Sequence, residues 1–428
     1  MAKQTNLDLR NKTIYQVFVR QHSKTHDFIG LINDLDRIKK LGVDIIYLLP
    51  FHPIGKKDRK GSVGSPYAIY DYYQIDSLNG TLEDFKLLCQ EVHQRDMKIM
   101  MDIVFNHTSR DSVLTKEKPE WFYKKADGSF ANRIGDWSDI TDLDMSKKEI
   151  WTYLVDVLKY WAQYVDGFRC DVAPLLPIDF WIQARKELDL LRPDLIWLTE
   201  SVEYGFIKYL RDIGYDASTD SMMYEAFDIA YDYDIFSFMD GYLNGKNDLS
   251  RYLYELWRQE VVYPKNYVKL RSFENHDQER IAKKVNHSKK LIMMTAFQFF
   301  LKGTPMIYAG QEHQVMNRPD LFEIDPIPWN PSSSIEPLIQ KLTRIKKHRL
   351  MKSGVYNYIE TNQIAIIEYK DSSDQLLGIF NLESLDGCKI DLPNGVYQNL
   401  LSHNQYEVNN SYIKLGNEPI ILHIELKQ

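Results

Sequence analysis

Short, nearly continuous apolar runs alternate with amphipathic stretches along the chain as far as Gly354. Runs of this kind predict strands that are covered on both faces, and the stretches between them have the spacing of helices. The alternation of strand and helix predicts an α/β fold built on a parallel sheet. We predict strands over residues 14–19, 44–50, 98–105, 167–172, 195–199, 215–220, 268–273 and 305–308, and helices over 28–41, 81–95, 150–164, 180–190 and 335–352.

Eight predicted strands favour a closed (β/α)8 TIM barrel over an open sheet, and such barrels commonly take roughly 250 residues. A polar and aromatic stretch over about 108–144 is too long for an ordinary loop and predicts a small insertion after the third strand. After Gly354 the pattern changes to short alternating strands separated by turns, which predicts an all-β domain. We therefore predict a barrel domain over 1–352, which contains the insertion, and a C-terminal domain over 353–428.

Charge and composition restrict the classes of partner. The net charge of −7 argues against nucleic acid or an anionic membrane as the main partner. The 28 tyrosines and 8 tryptophans suit the binding of sugars, whose apolar faces stack on aromatic rings. The first residues, MAKQTNLDLRNK, lack the apolar core of a secretory signal, so we expect a cytoplasmic protein. The wide spacing of the three cysteines, Cys89, Cys170 and Cys388, fits neither a disulfide framework nor a zinc site.

The stretch GFRCDV, residues 167–172, places a cation and a carboxylate on one face of a predicted strand. Side chains alternate along a strand, so Arg169 and Asp171 share one face, whereas Cys170 lies on the other with its apolar neighbours. Charged groups at the end of an apolar strand are costly to bury unless they are paired and used. We interpret Asp171 as a nucleophile, Arg169 as the group that keeps it ionised, and Cys170 as a packing residue.

Polar residues also follow other predicted strands. The carboxyl ends of barrel strands converge on one face, where the chemistry of this architecture lies. We therefore expect these residues to meet the Arg169–Asp171 pair. They are Asp102, Asn106 and His107 in the segment DIVFNH, Glu200 in WLTES, and His276 and Asp277 in FENHD.

Three acids that meet in this way suit the cleavage of a glycosidic bond. One carboxylate attacks the anomeric carbon while a second carboxyl protonates the leaving oxygen. Glu200 follows an apolar run, and a dry environment suits a general acid. The Asp277 carboxylate and the imidazoles of His107 and His276 suit binding to sugar hydroxyls and to a developing oxocarbenium charge.

Each of these residues has a plainer interpretation when it is taken alone. A single Asp or Glu at the end of a strand is more often a cap or an ion-pair partner, and a single His near a core is usually structural. We interpret Asp102 as a structural partner of Arg169, and Asn106 as a turn residue rather than a calcium ligand. The joint pattern favours a catalytic site, because independent structural residues rarely all fall at strand ends.

The four segments DIVFNH, GFRCDV, WLTES and FENHD resemble the sequence motifs of the α-amylase family, glycoside hydrolase family 13. The stretch SPYAIYDYYQID also resembles the family segment that supplies a stacking tyrosine, here Tyr67. The resemblance implies a (β/α)8 barrel with a small insertion after the third strand and a C-terminal β-sandwich. The implied roles are Asp171 as nucleophile, Glu200 as acid/base and Asp277 as transition-state stabiliser, with His107, Arg169 and His276 in contact with the bound glucose or the nucleophile.

The chain departs from the family pattern just after the implied nucleophile. Many members have a Lys-His pair there that helps to form a calcium site, whereas this chain has Ala173, Pro174 and Leu175. We therefore predict no cofactor and no structural calcium ion at the family's usual place. Val172 is a residue that members acting on α-1,6 bonds often have at this position.

The resemblance predicts a retaining glycoside hydrolase that cleaves α-glucosidic, mainly α-1,4, bonds in maltodextrins or α-glucans through a covalent glycosyl-enzyme. An α-glucosyl transferase or phosphorylase on the same site, and an oligo-1,6-glucosidase, remain open alternatives, because they share that intermediate. A non-catalytic barrel is disfavoured because all three acids are present. The expected partner is an oligosaccharide or α-glucan, and we predict no nucleic-acid or membrane partner.

Overall fold

Eight parallel strands form the centre of the molecule. The computed structural model describes residues 5–135, 137–285, 287–359 and 363–426. The strands are β1 (Ile14–Val17), β2 (Ile45–Leu48), β3 (Lys98–Ile103), β4 (Gly167–Cys170), β5 (Ile196–Thr199), β6 (Ile229–Tyr231), β7 (Lys269–Arg271) and β8 (Thr304–Tyr308). Strands that follow one another along the chain are neighbours, and β1 closes the ring by pairing with both β2 and β8. The predicted (β/α)8 TIM-barrel fold is therefore confirmed.

Alternation along each strand separates an inner core from an outer one. On β2, Tyr47 belongs to the cluster that fills the barrel, whereas Ile46 packs outward against the helices. On β4, Phe168 and Cys170 belong to the outer core. Arg169, which lies between them, is fully buried inside the barrel. The barrel interior thus changes from apolar to charged near the carboxyl ends of its strands.

Helices cover the outside of the barrel. The helix Leu82–Gln94 begins with a capping box, in which Thr81 and Asp84 satisfy each other's backbone N–H groups. None of the helices in the described part of the chain combines the length and apolar character that crossing a membrane requires. The α-helices are Val19–His22, Phe28–Ile32, Leu35–Lys40, Leu82–Gln94, Val113–Glu117, Lys148–Trp161, Ile178–Asp189, Tyr204–Asp212, Asp220–Met223, Tyr233–Leu243, Leu249–Val262, Ile281–Lys284, Ser288–Phe300, Glu336–Lys346 and Arg349–Ser353. Short 3-10 helices are Leu7–Asn11, Pro119–Trp121, Ala173–Leu175, Gln311–His313 and Pro331–Ser333.

The sixth barrel strand lies elsewhere than predicted, and the expected strand over 215–220 is wrong. The residues before Asp220 form a loop, in which the backbone N–H of Ser218 donates to the carbonyl of Pro174, and a short helix begins at Asp220 itself. The true sixth strand, β6, pairs with β5 and β7. It has only three residues, Ile229–Tyr231, with an aspartate on either side. The apolar stretch is bounded by Asp228 and Asp232 and forms no run of strand length, unlike the longer stretch 268–273 around β7.

A short insertion follows β3, as predicted. Its base is an antiparallel pair of strands, His107–Ser109 and Ile140–Asp142. The backbone N–H of Leu143 donates to the carbonyl of Asn106 over 3.0 Å. The chain therefore leaves and re-enters the barrel side by side, and the insertion overhangs the carboxyl ends of the strands.

Two four-stranded antiparallel sheets follow the barrel and share one apolar core, which confirms the predicted C-terminal β-sandwich. Ile366 and Leu377 of one sheet meet Val408 and Ile413 of the other in that core. The strands are β9 (Val355–Ile359), β10 (Ala365–Lys370), β11 (Asp374–Phe380), β12 (Gly387–Lys389), β13 (Gly395–Gln398), β14 (Gln405–Asn409), β15 (Tyr412–Lys414) and β16 (Ile420–Glu425). The sheet orders are β9-β10-β11-β16 and β12-β15-β14-β13.

The helix Ser288–Phe300 lies between the barrel and the sandwich. The rings of Phe297 and Phe300 lie 5.3 and 5.5 Å from that of Phe380, centroid to centroid. The Tyr369 hydroxyl donates to the carbonyl of Phe300 over 2.8 Å. A Cβ atom at Gly378 would lie only 2.7 Å from the Phe300 ring, so this contact requires glycine there. The C-terminal sheets therefore cover the aromatic side of this helix.

Candidate active site

A cavity of about 400 Å³ opens at the carboxyl ends of the barrel strands. Six of the residues predicted for the site line it, namely Tyr67, His107, Asp171, Glu200, His276 and Asp277. The other three, Asp102, Asn106 and Arg169, lie beneath it and are buried. The structure thus brings together every residue that the sequence places in the site.

Arg169 organises the floor of the cavity. Its Nη1 donates to Asp171 Oδ1 over 2.8 Å and to Asp102 Oδ1 and Oδ2 over 2.9 and 3.0 Å. Its Nη2 lies 2.9 Å from Glu200 Oε1. One guanidinium therefore joins carboxyl groups from three adjacent strands, because β3, β4 and β5 are neighbours in the barrel.

Burial shifts the pKa values of the carboxyl groups on this floor. Burial raises the pKa of Asp171 well above its ordinary range, the Glu200 carboxylate acts in the same direction, and Arg169 opposes both. Burial also raises the pKa of Asp102 to about 6. Arg169 therefore favours the ionised form of Asp171, while burial and the neighbouring carboxylates oppose it.

The backbone just after Asp171 fixes the Glu200 side chain. The N–H of Val172 donates to Glu200 Oε2 over 2.8 Å. Val172 has φ 34°, in the left-handed region that β-branched residues rarely adopt. Backbone strain of this kind is found where the surrounding structure needs a specific geometry. Here it aims an N–H group at the carboxyl group of the neighbouring strand.

Tyr67 and His276 form a stacked pair beside the acids. Their rings lie 5.5 Å apart and only 11° from parallel. Gln16 Nε2 lies 3.1 Å from His276 Nδ1. Burial lowers the pKa of His276 to about 3, so the ring is neutral. His276 Nε2 lies 2.6 Å from the Tyr67 hydroxyl, which in turn donates to Asp102.

His107 lies on the side of the cavity that the insertion covers. Its ring centroid is 5.5 Å from that of Trp137, and its Nδ1 lies 3.2 Å from Asn106 Nδ2. Burial lowers the pKa of His107, so this imidazole is also neutral. Asn106 is tied to the insertion through its carbonyl group, and its side chain fixes the His107 ring.

Asp277 differs from the other two acids because its side chain is 41% exposed and faces the open part of the cavity. Its position is set by its backbone. The N–H donates to Asn275 Oδ1 over 2.8 Å, and the carbonyl accepts from Arg318 Nη1 over 2.5 Å. Its Oδ2 lies 3.2 Å from His276 Nε2. The carboxylate is therefore held at the rim, across from the buried floor.

Sequence reasoning missed several residues that line the cavity. Tyr233 lies two residues after the end of β6, and locating that strand correctly would have placed it at the site by the strand-end argument. Lys60, Leu321 and Phe322 come from loops that carry no recognisable motif. Trp137 stands out in the sequence only as an aromatic residue in the insertion.

Within the described residues, no group of three or more His, Cys, Asp or Glu side chains is arranged so that it could hold a metal ion. The residues after Asp171, Ala173–Leu175, form a buried 3-10 turn. None of these three side chains offers a ligand that calcium prefers, since calcium takes oxygen ligands. The absence of a calcium requirement stays a prediction.

Two family matches cover most of the chain. The family described as the catalytic domain of α-amylase matches residues 16–137 and 111–353, and the family described as the bacterial α-amylase C-terminal domain matches residues 356–422. An α-amylase from Lactobacillus plantarum of known structure is 43% identical, over 98% of this chain and 100% of that one, with a TM-score of 0.95. A noncanonic maltogenic α-amylase from Thermotoga neapolitana is 35% identical, over 98% and 100%, with a TM-score of 0.88.

A curated relative, α-amylase 2 of Dictyoglomus thermophilum, is 27% identical over 423 residues, which are 93% of this chain and 70% of that protein. The matched segments contain the strands that carry the acids and the sheets that follow the barrel. The barrel and the C-terminal sandwich thus agree with the family matches, and the chain belongs to the α-amylase family of glycoside hydrolases.

Proposed function

We propose that this enzyme is a retaining hydrolase of α-glucosidic, mainly α-1,4, bonds in maltodextrins and related α-glucans. The observation that carries the proposal is the shared contact of Asp171 and Glu200 with Arg169, at 2.8 and 2.9 Å. Retaining glycosidases need their two carboxyl groups about 5–5.5 Å apart. Two carboxyl groups held by the two ends of one guanidinium on adjacent strands suit that spacing.

In the first step, a carboxylate oxygen of Asp171 attacks the anomeric carbon while Glu200 gives its proton to the leaving oxygen. The bond to the leaving sugar breaks, and a covalent glycosyl-enzyme forms at Asp171. Glu200 then removes a proton from water, which attacks the same carbon and releases Asp171. The step requires one protonated and one ionised carboxyl group, and Arg169 favours the ionised form of Asp171.

The remaining site residues suit a positively charged transition state. Asp277 supplies negative charge from the open side of the cavity, where an oxocarbenium ion would face it. His107 and His276 are both neutral because burial lowers the pKa of each. They can donate hydrogen bonds to sugar hydroxyls without adding a positive charge that would oppose the developing one. Tyr67 offers a ring face for stacking.

Substitution of the two central acids tests the mechanism. In Asp171→Asn and Glu200→Gln we expect kcat/KM on maltooligosaccharides to fall by about two to four orders of magnitude. In Glu200→Ala, azide is expected to restore turnover of an activated α-maltoside and to yield the α-glycosyl azide, since azide needs no general base. Asp179→Asn is the matched control, because this carboxylate is exposed and outside the cavity.

Two results would contradict the proposal. One is an Asp171→Asn variant that stays within about tenfold of the unsubstituted enzyme. The other is a first product of β configuration, which would indicate inversion. Maltotriose incubated with and without phosphate separates the alternatives, because longer oligosaccharides would indicate transfer and glucose 1-phosphate a phosphorylase.

We also propose a cytoplasmic site of action and no calcium requirement. The free, buried state of Cys89, Cys170 and Cys388 supports a reducing compartment. The apolar turn Ala173–Leu175 in place of the family's Lys-His pair supports the second point.

A further inference from the structure

Three loops meet on one side of the active-site cavity and form a wall. Lys60 comes from the loop after β2, Asp139 from the insertion, and Leu321 and Phe322 from the loop after β8. The Lys60 ammonium lies 3.3 Å from Asp139 Oδ1 and 5.8 Å from the centre of the Phe322 ring. The three loops are therefore connected to one another through Lys60.

Backbone contacts hold the first and third loops together. The N–H groups of Val63 and Gly64 both donate to the carbonyl of Phe322, over 3.1 and 3.0 Å. The N–H of Ser62 donates to Glu323 Oε1 over 2.8 Å. A Cβ atom at Gly61 would lie 2.6 Å from the Phe322 Cβ, and φ at Gly61 is 65°, so this approach requires glycine. The wall is thus a built contact and not a chance proximity of surface side chains.

The strand order indicates on which side of the cleaved bond the wall lies. In the ring of eight strands, β5 lies opposite β1, and the loops of the wall follow the strands that flank β1 and the insertion next to them. Glu200 lies at the end of β5. A leaving oxygen that receives its proton from Glu200 places the leaving sugars on that side. The glycone, which runs toward the non-reducing end of the substrate, then points at the wall.

We propose that this wall closes the glycone side of the cleft, so that the enzyme cuts only from the non-reducing ends of its substrates and releases one or two glucosyl units at a time. This inference rests on the proposed hydrolase function and adds the mode of action. A glucosyl unit fills roughly 150–200 Å³ when it is packed as densely as an organic crystal. The whole cavity, which also includes the Glu200 side, measures about 400 Å³ and has room for about two such units, so its glycone side holds no more than two.

A substrate blocked at its non-reducing end tests the proposal. We compare 4-nitrophenyl α-maltoheptaoside with the same compound carrying a 4,6-O-ethylidene group on its terminal sugar, and separate the products by chromatography. The unsubstituted enzyme is expected to release only glucose or maltose from the free compound and to cut the blocked one at least about a hundredfold more slowly. Equal rates for the two compounds, or blocked fragments of varied length, would overturn the proposed cleavage from the non-reducing end but not the hydrolase function. Failure to cut either compound would overturn both proposals.

Variants of the wall provide a second test. In Phe322→Ala and Lys60→Ala we expect the ratio of the blocked to the free rate to rise about tenfold, because the glycone gains an exit. Ile324→Ala and Lys57→Ala are the controls, since Ile324 is 45% exposed on the same loop as Phe322 and Lys57 is exposed on the same loop as Lys60. A loss of fold would lower both rates and leave their ratio unchanged. A folded Phe322→Ala protein with an unchanged ratio, checked by thermal unfolding, would overturn the assignment.

Discussion

Replacing Arg169 with methionine is expected to destabilise the protein strongly, and in a pH-dependent way. At about 4 Å and an effective dielectric constant of about 20, one pair of unit charges is worth about 4 kcal/mol. Arg169 has three such pairs, with Asp102, Asp171 and Glu200, but burying its guanidinium takes back much of that energy. Breaking buried ion pairs by removing one partner typically costs about 3–5 kcal/mol. We expect a loss of this size near neutral pH.

The sign of the pH dependence follows from the carboxyl groups that are left behind. Without the guanidinium, burial raises the folded-state pKa of these acids further above their values in the unfolded chain. A group whose pKa is higher in the folded state than in the unfolded chain contributes its full stabilisation at pH values below the unfolded-state pKa. That contribution is lost as the pH rises. The difference between Arg169→Met and the unsubstituted protein is therefore expected to grow between about pH 4 and pH 7.

Urea unfolding at these two pH values, followed by circular dichroism and by tryptophan fluorescence, measures the effect. Arg95→Met is the control, because Arg95 also contacts two carboxylates, those of Asp36 and Glu91, but at the surface. Its cost is expected to stay below about 1 kcal/mol. If Arg169→Met is no less stable than the control, or is equally destabilised at both pH values, the reasoning about the charged floor is wrong.

Three further predictions concern single groups. His276 stays neutral because its pKa is lowered to about 3. His276→Gln is therefore expected to lower kcat/KM without removing any limb of the pH profile of kcat/KM between about pH 5 and pH 9. Loss of a limb would show that the imidazole titrates in this range. Dialysis against EDTA is expected to leave both activity and the thermal midpoint unchanged, and restoration of lost activity by calcium would contradict this. Burial raises the pKa of Cys170 well above its ordinary range, so iodoacetamide is expected to leave the native enzyme active, and mass spectrometry showing inactivation in step with labelling at Cys170 would refute its packing role.

The parts of the site that the sequence predicts are those fixed by short segments. Asp171 and Glu200 directly follow β4 and β5, and Asp277 lies in the loop after β7. A barrel brings the carboxyl ends of these strands to one face. The pairing of Asp102 with Arg169 is also predictable, since their strands are neighbours in the barrel. The pKa values of the carboxyl groups are not predictable from the sequence, because they depend on how deeply the whole cluster is buried.

What the sequence does not predict depends on contacts between distant segments. Gly61 and Phe322 touch only because two loops at opposite ends of the barrel sequence converge. Neither loop has a periodic pattern, so neither indicates its partner. Tyr233 was missed for a different reason, since the apolar stretch of β6 is bounded by Asp228 and Asp232 and forms no run of strand length.

The contact of Phe300 with Gly378 has a consequence for how the chain folds. Because Phe297 and Phe300 are covered by the C-terminal sheets, a barrel without those sheets would leave a continuous aromatic strip in water. Barrel and sandwich are therefore expected to unfold in one cooperative transition rather than in two. During synthesis the barrel would also keep this strip exposed until β11 has been made, so the barrel is expected to complete its own core only when it docks onto the sheet that contains β11.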